Sequence, residues 1–314
     1  MSAFIQYFIL SAPLFAIVLA GYLVALWPRW KTTWTAVASK FVFNVALPAM
    51  LFHLMSNLQS MPPIEPRVLI AFFGGCLLVF ALGRFVAARF FKLDGVAQSV
   101  FAMGGIFSNN VLLGLPLVKI TLGPNAVPSA ALVIVFNAFT LWTLVSVSIE
   151  WAKHASFTIV GIGKMAFGVI TSPLVAGIVF GTLFGLSGLK MPHRADQALG
   201  VLSDIAGPSA LLILGMGLVQ YGVRSGWQHS IAVCALKLIA FPSVVWALAT
   251  VLGLQPIETK AIVLLASMSI GANVYLMSMQ FQTMQSAIAS GMVLSTGVAA
   301  LTTPLFLAAM AAVF

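Results

Sequence analysis

Apolar runs long enough to cross a membrane recur from one end of the chain to the other. A helix needs about 20 mostly apolar residues to span the hydrocarbon layer. We place ten such runs along the 314 residues, at about 6–27, 36–58, 67–90, 97–121, 127–151, 163–188, 197–222, 229–253, 259–282 and 286–313. Each run is continuously apolar rather than alternating, which disfavours a membrane β-barrel. The pattern predicts an all-α polytopic membrane protein embedded in a lipid bilayer.

The basic residues fit this class. The formal net charge is +9, although only 7% of the residues are charged. In a soluble protein such an excess would suggest nucleic acid. Here the cations are scattered through short loops between spans, as in the positive-inside pattern. We therefore expect no nucleic-acid partner.

The loop cations also predict the orientation of the chain. Loops after odd-numbered spans hold or adjoin nine of them, and the other loops hold five. The nine are Arg29, Lys31, Lys40, Arg84, Arg89, Lys92, Lys153, Lys164 and Arg224, and the five are Arg67, Lys119, Lys190, Arg194 and Lys260. Since cytoplasmic loops carry the excess of Lys and Arg, both termini are expected on the extracytoplasmic side.

The two halves of the chain resemble each other. "PLFAIVLAGYLVAL" from Pro13 aligns with "PLVAGIVFGTLFGL" from Pro173, "NVALPAMLFHL" from Asn44 with "DIAGPSALLIL" from Asp204, and "SNNVLL" from Ser108 with "GANVYL" from Gly271. The first two offsets are 160 and the third is 163. Chance similarity of apolar helices is the alternative, but three matches at nearly one offset favour a repeat.

The repeat predicts an inverted topology. Its units are residues 1–155 and 156–314, with five spans each. Because five is odd, the second unit must enter the membrane from the opposite face. This is the architecture of many secondary transporters, in which substrate binds where discontinuous helices meet near the midplane.

The fourth and ninth spans carry residues that are unusual at membrane depth. The first candidate set is Ser108, Asn109, Asn110, Gly114 and Pro116, and the second is Gly271, Ala272, Asn273 and Tyr275. Glycine and proline can break a helix, and the freed backbone groups are tolerated only against protein or a watery cavity. We predict that both spans are broken, cross each other and form a substrate site. The alternative is that the asparagines only hold helices together.

Asp204 is the acid that lies deepest inside a predicted span, and Asn44 is its counterpart in the repeat. An acid within a membrane is expensive and is by default a functional hypothesis. We assign both residues to ion coupling, with H⁺ or Na⁺ as the coupled ion. The alternative is a carboxylate near the outer interface that water or a capping residue satisfies.

The remaining polar residues predict little chemistry. Arg84 and Lys237 lie one or two turns from the ends of their spans, so we expect both to extend to the interface, with attraction of an anion as the alternative. Cys76 and Cys234 are expected to be small buried side chains. No His/Cys cluster and no phosphate-binding GxxxxGK[ST] motif occurs in the sequence. We therefore expect no metal site and no cofactor.

Four motifs resemble the auxin efflux carrier family of bile/arsenite/riboflavin-type transporters. They are "NVALPAMLF", "SNNVLLGLPL", "ALKLIAFP" and "GANVYLMS", in the second, fourth, eighth and ninth spans. The resemblance covers essentially the whole chain, although "SIGANVYLMS" lacks the proline that members often carry at the second crossover. It implies substrate at the crossing of spans four and nine. It also implies a scaffold of spans one, two, six and seven against a transport domain made of the others.

Together these features predict a secondary transporter in a bacterial cytoplasmic membrane rather than an enzyme. The resemblance implies a small organic anion as substrate, such as malonate or an auxin-like acid, moved by alternating access. A sodium-coupled symporter and a passive channel remain as alternatives. A homodimer is also kept open.

Overall fold

The protein is described here by a computed structural model and is built from α-helices. The model describes residues 3–27, 30, 32–56, 65–154, 173–189, 191–221 and 226–313. Within these ranges no β-strand occurs, and one isolated antiparallel bridge joins two extended stretches. The prediction of an all-α chain is therefore confirmed.

The helices are named in chain order. They are α1 (Ala3–Ala25), α2 (Thr32–Phe41), α3 (Leu47–Ser56), α4 (Arg67–Arg89), α5 (Gly95–Ile106), α6 (Leu115–Leu122), α7 (Val127–His154), α8 (Pro173–Leu186), α9 (His193–Tyr221), α10 (Trp227–Ala235), α11 (Phe241–Val251), α12 (Pro256–Ala266), α13 (Ala272–Gln280) and α14 (Gln285–Val313). Three π-helical segments join them, namely π1 (Val42–Ala46), π2 (Asn110–Gly114) and π3 (Leu236–Ala240), and a 3₁₀ turn covers Pro124–Ala126.

Several of these helices are long and apolar enough to cross a membrane. Among the described residues they number six, and they begin at Phe4, Thr33, Arg67, His193, Trp227 and Gln285. The fourth and ninth predicted spans are each divided into two shorter helices. Of the sixth predicted span, residues 163–172 lie outside the described part of the chain, and α8 covers the rest. The number of ten spans therefore stays a prediction.

The π segments coincide with polar residues that the sequence singled out. Asn44 lies in π1, Asn110 in π2 and Lys237 in π3. A π turn widens the helix by one residue and is common at functional sites. The segments π1 and π3 each lie within an otherwise continuous helix. The segment π2 instead forms the first turn of a helix, directly after the break that follows α5.

Glycines set the closest helix crossings, and these crossings repeat. A Cβ placed on Gly21 of α1 would lie 2.1 Å from the carbonyl oxygen of Leu212 in α9. A Cβ on Gly181 of α8 would lie 2.6 Å from the carbonyl oxygen of Phe52 in α3. Gly21 and Gly181 differ by 160 positions, and so do Phe52 and Leu212. Each half therefore places its first helix on the second helix of the other half, by the same residues.

This exchange sorts the helices into two groups. Helices α1, α3, α8 and α9 pack mainly on one another, while α4–α7 and α10–α14 form a second body. The groups meet where α1 packs on α14 and where π2 and α6 pack on α9. The breaks in the fourth and ninth spans both belong to the second body.

Candidate functional site

The two helix breaks meet in the interior of the protein. Phe107–Asn109 and Ser269–Gly271 run antiparallel, with Ser108 opposite Ile270. The amide of Asn109 donates to the carbonyl of Ser269, and the amide of Gly271 donates to the carbonyl of Phe107, both at 2.9 Å. The fourth and ninth spans are thus joined by backbone hydrogen bonds at the residues where the sequence predicted breaks.

Other backbone groups of the breaks are satisfied by side chains and by local turns. The hydroxyl of Ser295 in α14 accepts from the amide of Ile270 at 3.1 Å. The hydroxyl of Thr303, also in α14, donates to the carbonyl of Ser267 at 3.3 Å. Such partners explain how non-helical backbone persists at membrane depth, where a bare amide or carbonyl would cost several kcal/mol.

We call the place where Phe107–Asn109 meets Ser269–Gly271 the crossing. Four polar side chains there have buried atoms without a hydrogen-bond partner. These buried atoms, which bond no other group of the described residues, are Ser108 Oγ, Asn109 Nδ2, Ser269 Oγ and both side-chain heteroatoms of Asn110. Asn109 and Ser269 lie opposite each other across the crossing. Buried polar atoms are nearly always bonded. A cluster of exceptions therefore indicates a place for a polar ligand or ordered water.

Two helix N-termini begin at the same crossing. The turn π2 starts at Asn110 and continues into α6, and α13 starts at Ala272. No side-chain cap is present at either start, since the side chain of Asn109 makes no capping hydrogen bond and Gly271 has no side chain. The first amides of a helix lack intrahelical acceptors, and the helix dipole is positive there. Both ends therefore suit a negatively charged group.

Small residues allow the breaks to approach each other. A Cβ on Gly271 would lie 3.0 Å from the carbonyl oxygen of Ser108, and a Cβ on Gly114 would lie 2.8 Å from Cδ2 of Leu265. Pro116 is buried and lies inside the continuous helix formed by π2 and α6, so it does not itself form the break that the sequence predicted there. Glycine at these positions serves packing between spans, since neither residue has a positive φ.

The rest of the second candidate set lies on α13. Ala272, Asn273 and Tyr275 occupy its first turns and are all partly exposed. They follow directly on the crossing, so their backbone is continuous with it. Asn273 is less enclosed than Asn110, which is buried.

Asp204 does not lie at the crossing. Its carboxylate is 3.6 Å from Nζ of Lys119, and its side chain is 81% exposed. Nζ of Lys119 also donates to the hydroxyl of Ser203 at 3.1 Å. The sequence placed Lys119 among the loop cations, whereas the structure places it in the last turn of α6, beside Asp204. Lys119 lies nine residues beyond Asn110, or about 14 Å along a helix.

Asn44, the counterpart of Asp204, is exposed in π1. The segment π1 packs against α8 and α9 within the first group of helices. The two proposed coupling residues therefore both lie in that group, apart from the crossing.

The expectation that Lys237 reaches the interface is wrong. Lys237 is fully buried, and its Nζ donates to the carbonyl of Ala266 at 2.5 Å. Arg84 is only partly buried and also turns inward, donating to the hydroxyls of Ser99 and Ser148. Basic side chains near the end of a span usually extend to the membrane interface. These two do not, because helix packing places hydrogen-bond acceptors for them inside the protein.

A cavity opens where the two groups of helices meet. Its volume is about 480 Å³, and it lies between α1, α9 and α14. Its walls are mainly apolar, with Tyr22 and Thr296 as the polar exceptions. Thr296 follows Ser295, which bonds the broken ninth span. The cavity thus approaches the helix that supports the crossing.

Comparison with known proteins adds to this geometry. The model of a family described as membrane transport protein matches residues 7–158 and again residues 156–307. The chain belongs to this family, the auxin efflux carriers. The two matches cover both predicted halves, and the family identifies a multi-pass membrane transporter rather than an enzyme.

One curated relative of this chain is named "Putative malonate transporter" and comes from Rhizobium meliloti (strain 1021). The two chains are 25% identical over 293 residues, covering 91% of this chain and 90% of the relative. The similarity therefore extends over both halves of the carrier and over both breaks.

The sequence missed several residues of this carrier's candidate site. Ser269 lies two residues before Gly271, the first residue of the predicted ninth-span set, and Ser295 lies outside both predicted sets. A serine within an apolar helix rarely indicates function by itself, because it can bond the carbonyl of the preceding turn. A useful indication was the run "SMSIGAN", in which two serines precede the glycine.

Proposed function

We propose that this carrier moves a small organic anion across the membrane and binds it at the crossing of the two broken spans. The observation that carries the proposal is the coincidence of unpaired buried polar atoms with two uncapped helix N-termini. Helix ends of this kind are ready-made anion sites. The side-chain amide of Asn110 supplies hydrogen-bond donors and an acceptor for the polar atoms of the anion.

Malonate is the substrate that we propose to test first. The relative named for malonate aligns with nearly the whole chain. Malonate carries two carboxylates, and the crossing offers two helix N-termini from different spans. We infer that each carboxylate faces one of these ends. Monocarboxylates and indole acids would engage only one end and should bind more weakly.

Alternating access is the transport mechanism that we propose, and the division of the helices into two groups supports it. We infer that residues 1–155 and 156–314 are inverted repeats, and that α1, α3, α8 and α9 form the fixed group. The second body would carry the crossing past it. Lys119 and Asp204 lie on opposite sides of this border, so their contact forms in one position of the cycle and breaks in the other.

The test removes the polar end of Asn110. We expect Asn110→Ala to lower malonate affinity about tenfold or more, since a lost bond in a desolvated site costs about 1–3 kcal/mol. Calorimetry on the purified protein measures the affinity. Because both heteroatoms of Asn110 are unpaired without ligand, the same change should leave the melting temperature of the ligand-free protein unchanged or raise it.

Asn125→Ala is the matched control, since Asn125 is an exposed asparagine of the 3₁₀ turn beyond α6. It should bind malonate as the unaltered protein does. Equal affinity of the Asn110 and Asn125 variants would exclude the crossing as the site. A large loss of stability in Asn110→Ala would instead indicate that this asparagine only holds helices together.

Proteoliposomes distinguish a carrier from a channel. We expect saturable malonate uptake that is accelerated when unlabelled malonate is loaded inside, because a carrier returns faster with substrate bound. A linear dependence on concentration without such exchange would favour a passive pore. Imposed pH and sodium gradients, applied separately, test whether H⁺ or Na⁺ is the coupled ion.

A further inference from the structure

Lys237 places its side-chain amino group at the broken end of a helix. It lies in π3 and is fully buried. Its Nζ donates to the carbonyl of Ala266 and stands 4.9 Å from the ring centroid of Phe241. Ala266 is the last residue of α12, directly before the break in the ninth span. The amino group therefore lies at the carbonyl end of this half-helix.

A carbonyl end at membrane depth is a cation site. The last carbonyls of a helix lack intrahelical donors, and the helix dipole is negative there. In transporters with discontinuous helices, unwound carbonyls and half-helix C-termini coordinate Na⁺ or H⁺. An ammonium on a side chain supplies the same charge, but it cannot leave.

Satisfying the carbonyl does not by itself require a charge. The neighbouring carbonyl of Ser267 is bonded by the neutral hydroxyl of Thr303, and the amide of Ile270 by that of Ser295. A buried cation is far more expensive than a hydroxyl. No carboxylate of the described residues lies within ion-pair distance of Lys237. Among the described residues, the groups that can balance a charge on Lys237 are therefore the helix end and the ring of Phe241.

The arrangement occurs in one half only. The positions that correspond to Lys237 at the repeat offsets of 160 to 163 are residues 74–77, with the sequence "GGCL". None of them is charged. The cation is thus an addition to the ninth-span break rather than a requirement of the repeated fold.

We propose that Lys237 is a tethered cation that occupies the place of a coupled metal ion, so that the ninth-span break operates without sodium. The inference deepens the proposed function, because it concerns the same crossing. It predicts that removing the lysine side chain creates a site for a small monovalent cation. It also predicts that the unaltered protein shows no sodium-specific effect at this break.

The first experiment needs no substrate. The melting temperature is measured in choline chloride, sodium chloride and propylammonium chloride at equal concentration. We expect the unaltered protein and Lys237→Arg to melt alike in all three. Lys237→Ala should melt lower in choline and recover by about 2–4 °C or more in sodium or propylammonium. Choline is too large to enter the vacated space.

Lys237→Met keeps the length of the side chain without its charge, and it serves if the alanine variant does not fold. Lys237→Met should melt at a lower temperature than Lys237→Arg in every salt. The methionine side chain fills the space without a charge, so an added cation cannot enter to replace the lost one. Equal stability of the Met and Arg variants would overturn the proposal. So would a sodium-specific rise for the unaltered protein, or a Lys237→Ala variant that responds alike to all three salts.

A second measurement uses malonate. The unaltered protein should bind malonate with the same affinity in choline and sodium chloride, whereas Lys237→Ala should bind at least tenfold tighter in sodium than in choline. If malonate does not bind the unaltered protein but the thermal rescue occurs, the tethered cation stands and the proposed substrate fails. If malonate binds without any cation dependence in either protein, the proposed function stands and the tethered cation fails.

Discussion

Gly271 shows how one residue permits the crossing. Its backbone has φ −74° and ψ 147°, a conformation that any residue adopts. What requires glycine is space, because a Cβ would lie 3.0 Å from the carbonyl oxygen of Ser108 and 3.1 Å from the ring of Phe107. The oxygen belongs to backbone that is itself hydrogen-bonded, so it cannot easily yield.

Gly271→Ala should therefore weaken both stability and malonate binding. We expect overpacking to cost about 1–3 kcal/mol, which exceeds the gain of about 0.4–1 kcal/mol from a stiffer unfolded chain. Thermal melting and calorimetry check the two effects. Gly297→Ala in α14 is the control, because a Cβ there meets nothing within 4 Å. Equal melting of the two variants would show that the crossing has room to spare.

At the scale of an element, α9 contains a pair of glycines in contrasting surroundings. A Cβ on Gly215 would lie 1.9 Å from the carbonyl oxygen of Val18 in α1, whereas a Cβ on Gly217 meets nothing within 4 Å. Lipid supplies no hydrophobic force between helices, so close backbone packing through small residues holds them together.

Gly215→Ala should force α1 and α9 apart and lower the melting temperature. Gly217→Ala, two residues later in the same helix, should leave it unchanged or raise it, since alanine favours helix over glycine by about 0.8–1 kcal/mol. Melting of the two purified variants gives the comparison. The idea that these glycines set the crossing fails if the Gly215 variant is as stable as the Gly217 variant.

At the scale of the whole molecule, the contact of Lys119 with Asp204 joins the two groups of helices. In the proposed cycle this pair would form in one position and break in the other. The ammonium of Lys119 would oppose a sodium ion at Asp204, so we propose H⁺ rather than Na⁺ as the ion coupled through this residue.

Asp204→Asn should still bind malonate and still support exchange, but it should lose accumulation driven by a pH gradient. Uptake into proteoliposomes with an imposed gradient measures this. Asp196→Asn is the control on the same helix, because Asp196 contacts His53 rather than Lys119. Normal accumulation by Asp204→Asn would remove it from the coupling mechanism.

The orientation of the whole chain gives a separate prediction. The excess of loop cations after odd-numbered spans predicts that both termini lie on the extracytoplasmic side. A reporter fused after Phe314 that is active only outside the cytoplasm should therefore be active. A reporter active only in the cytoplasm should be silent in the same position. The reverse result would show that the cytoplasmic and extracytoplasmic sides of the protein have been assigned the wrong way round.

The sequence alone determined the class of the protein, which two spans are broken and the offset between the halves. These properties are local, since apolar length decides insertion and polar residues inside an apolar run indicate an interrupted helix. The repeat offset then found a structural counterpart in the matching contacts of Gly21 and Gly181.

Only the tertiary structure decided which groups meet. Lys119 reaches Asp204 across 85 positions, and Lys237 reaches Ala266 across 29. Apolar helices are equally at home against lipid or against one another, so their composition does not specify their neighbours. The partner of each charged or amino side chain therefore depends on how the helices pack. For this reason the sequence predicted that Lys237 extends to the interface, whereas the fold provides an internal acceptor, the carbonyl of Ala266.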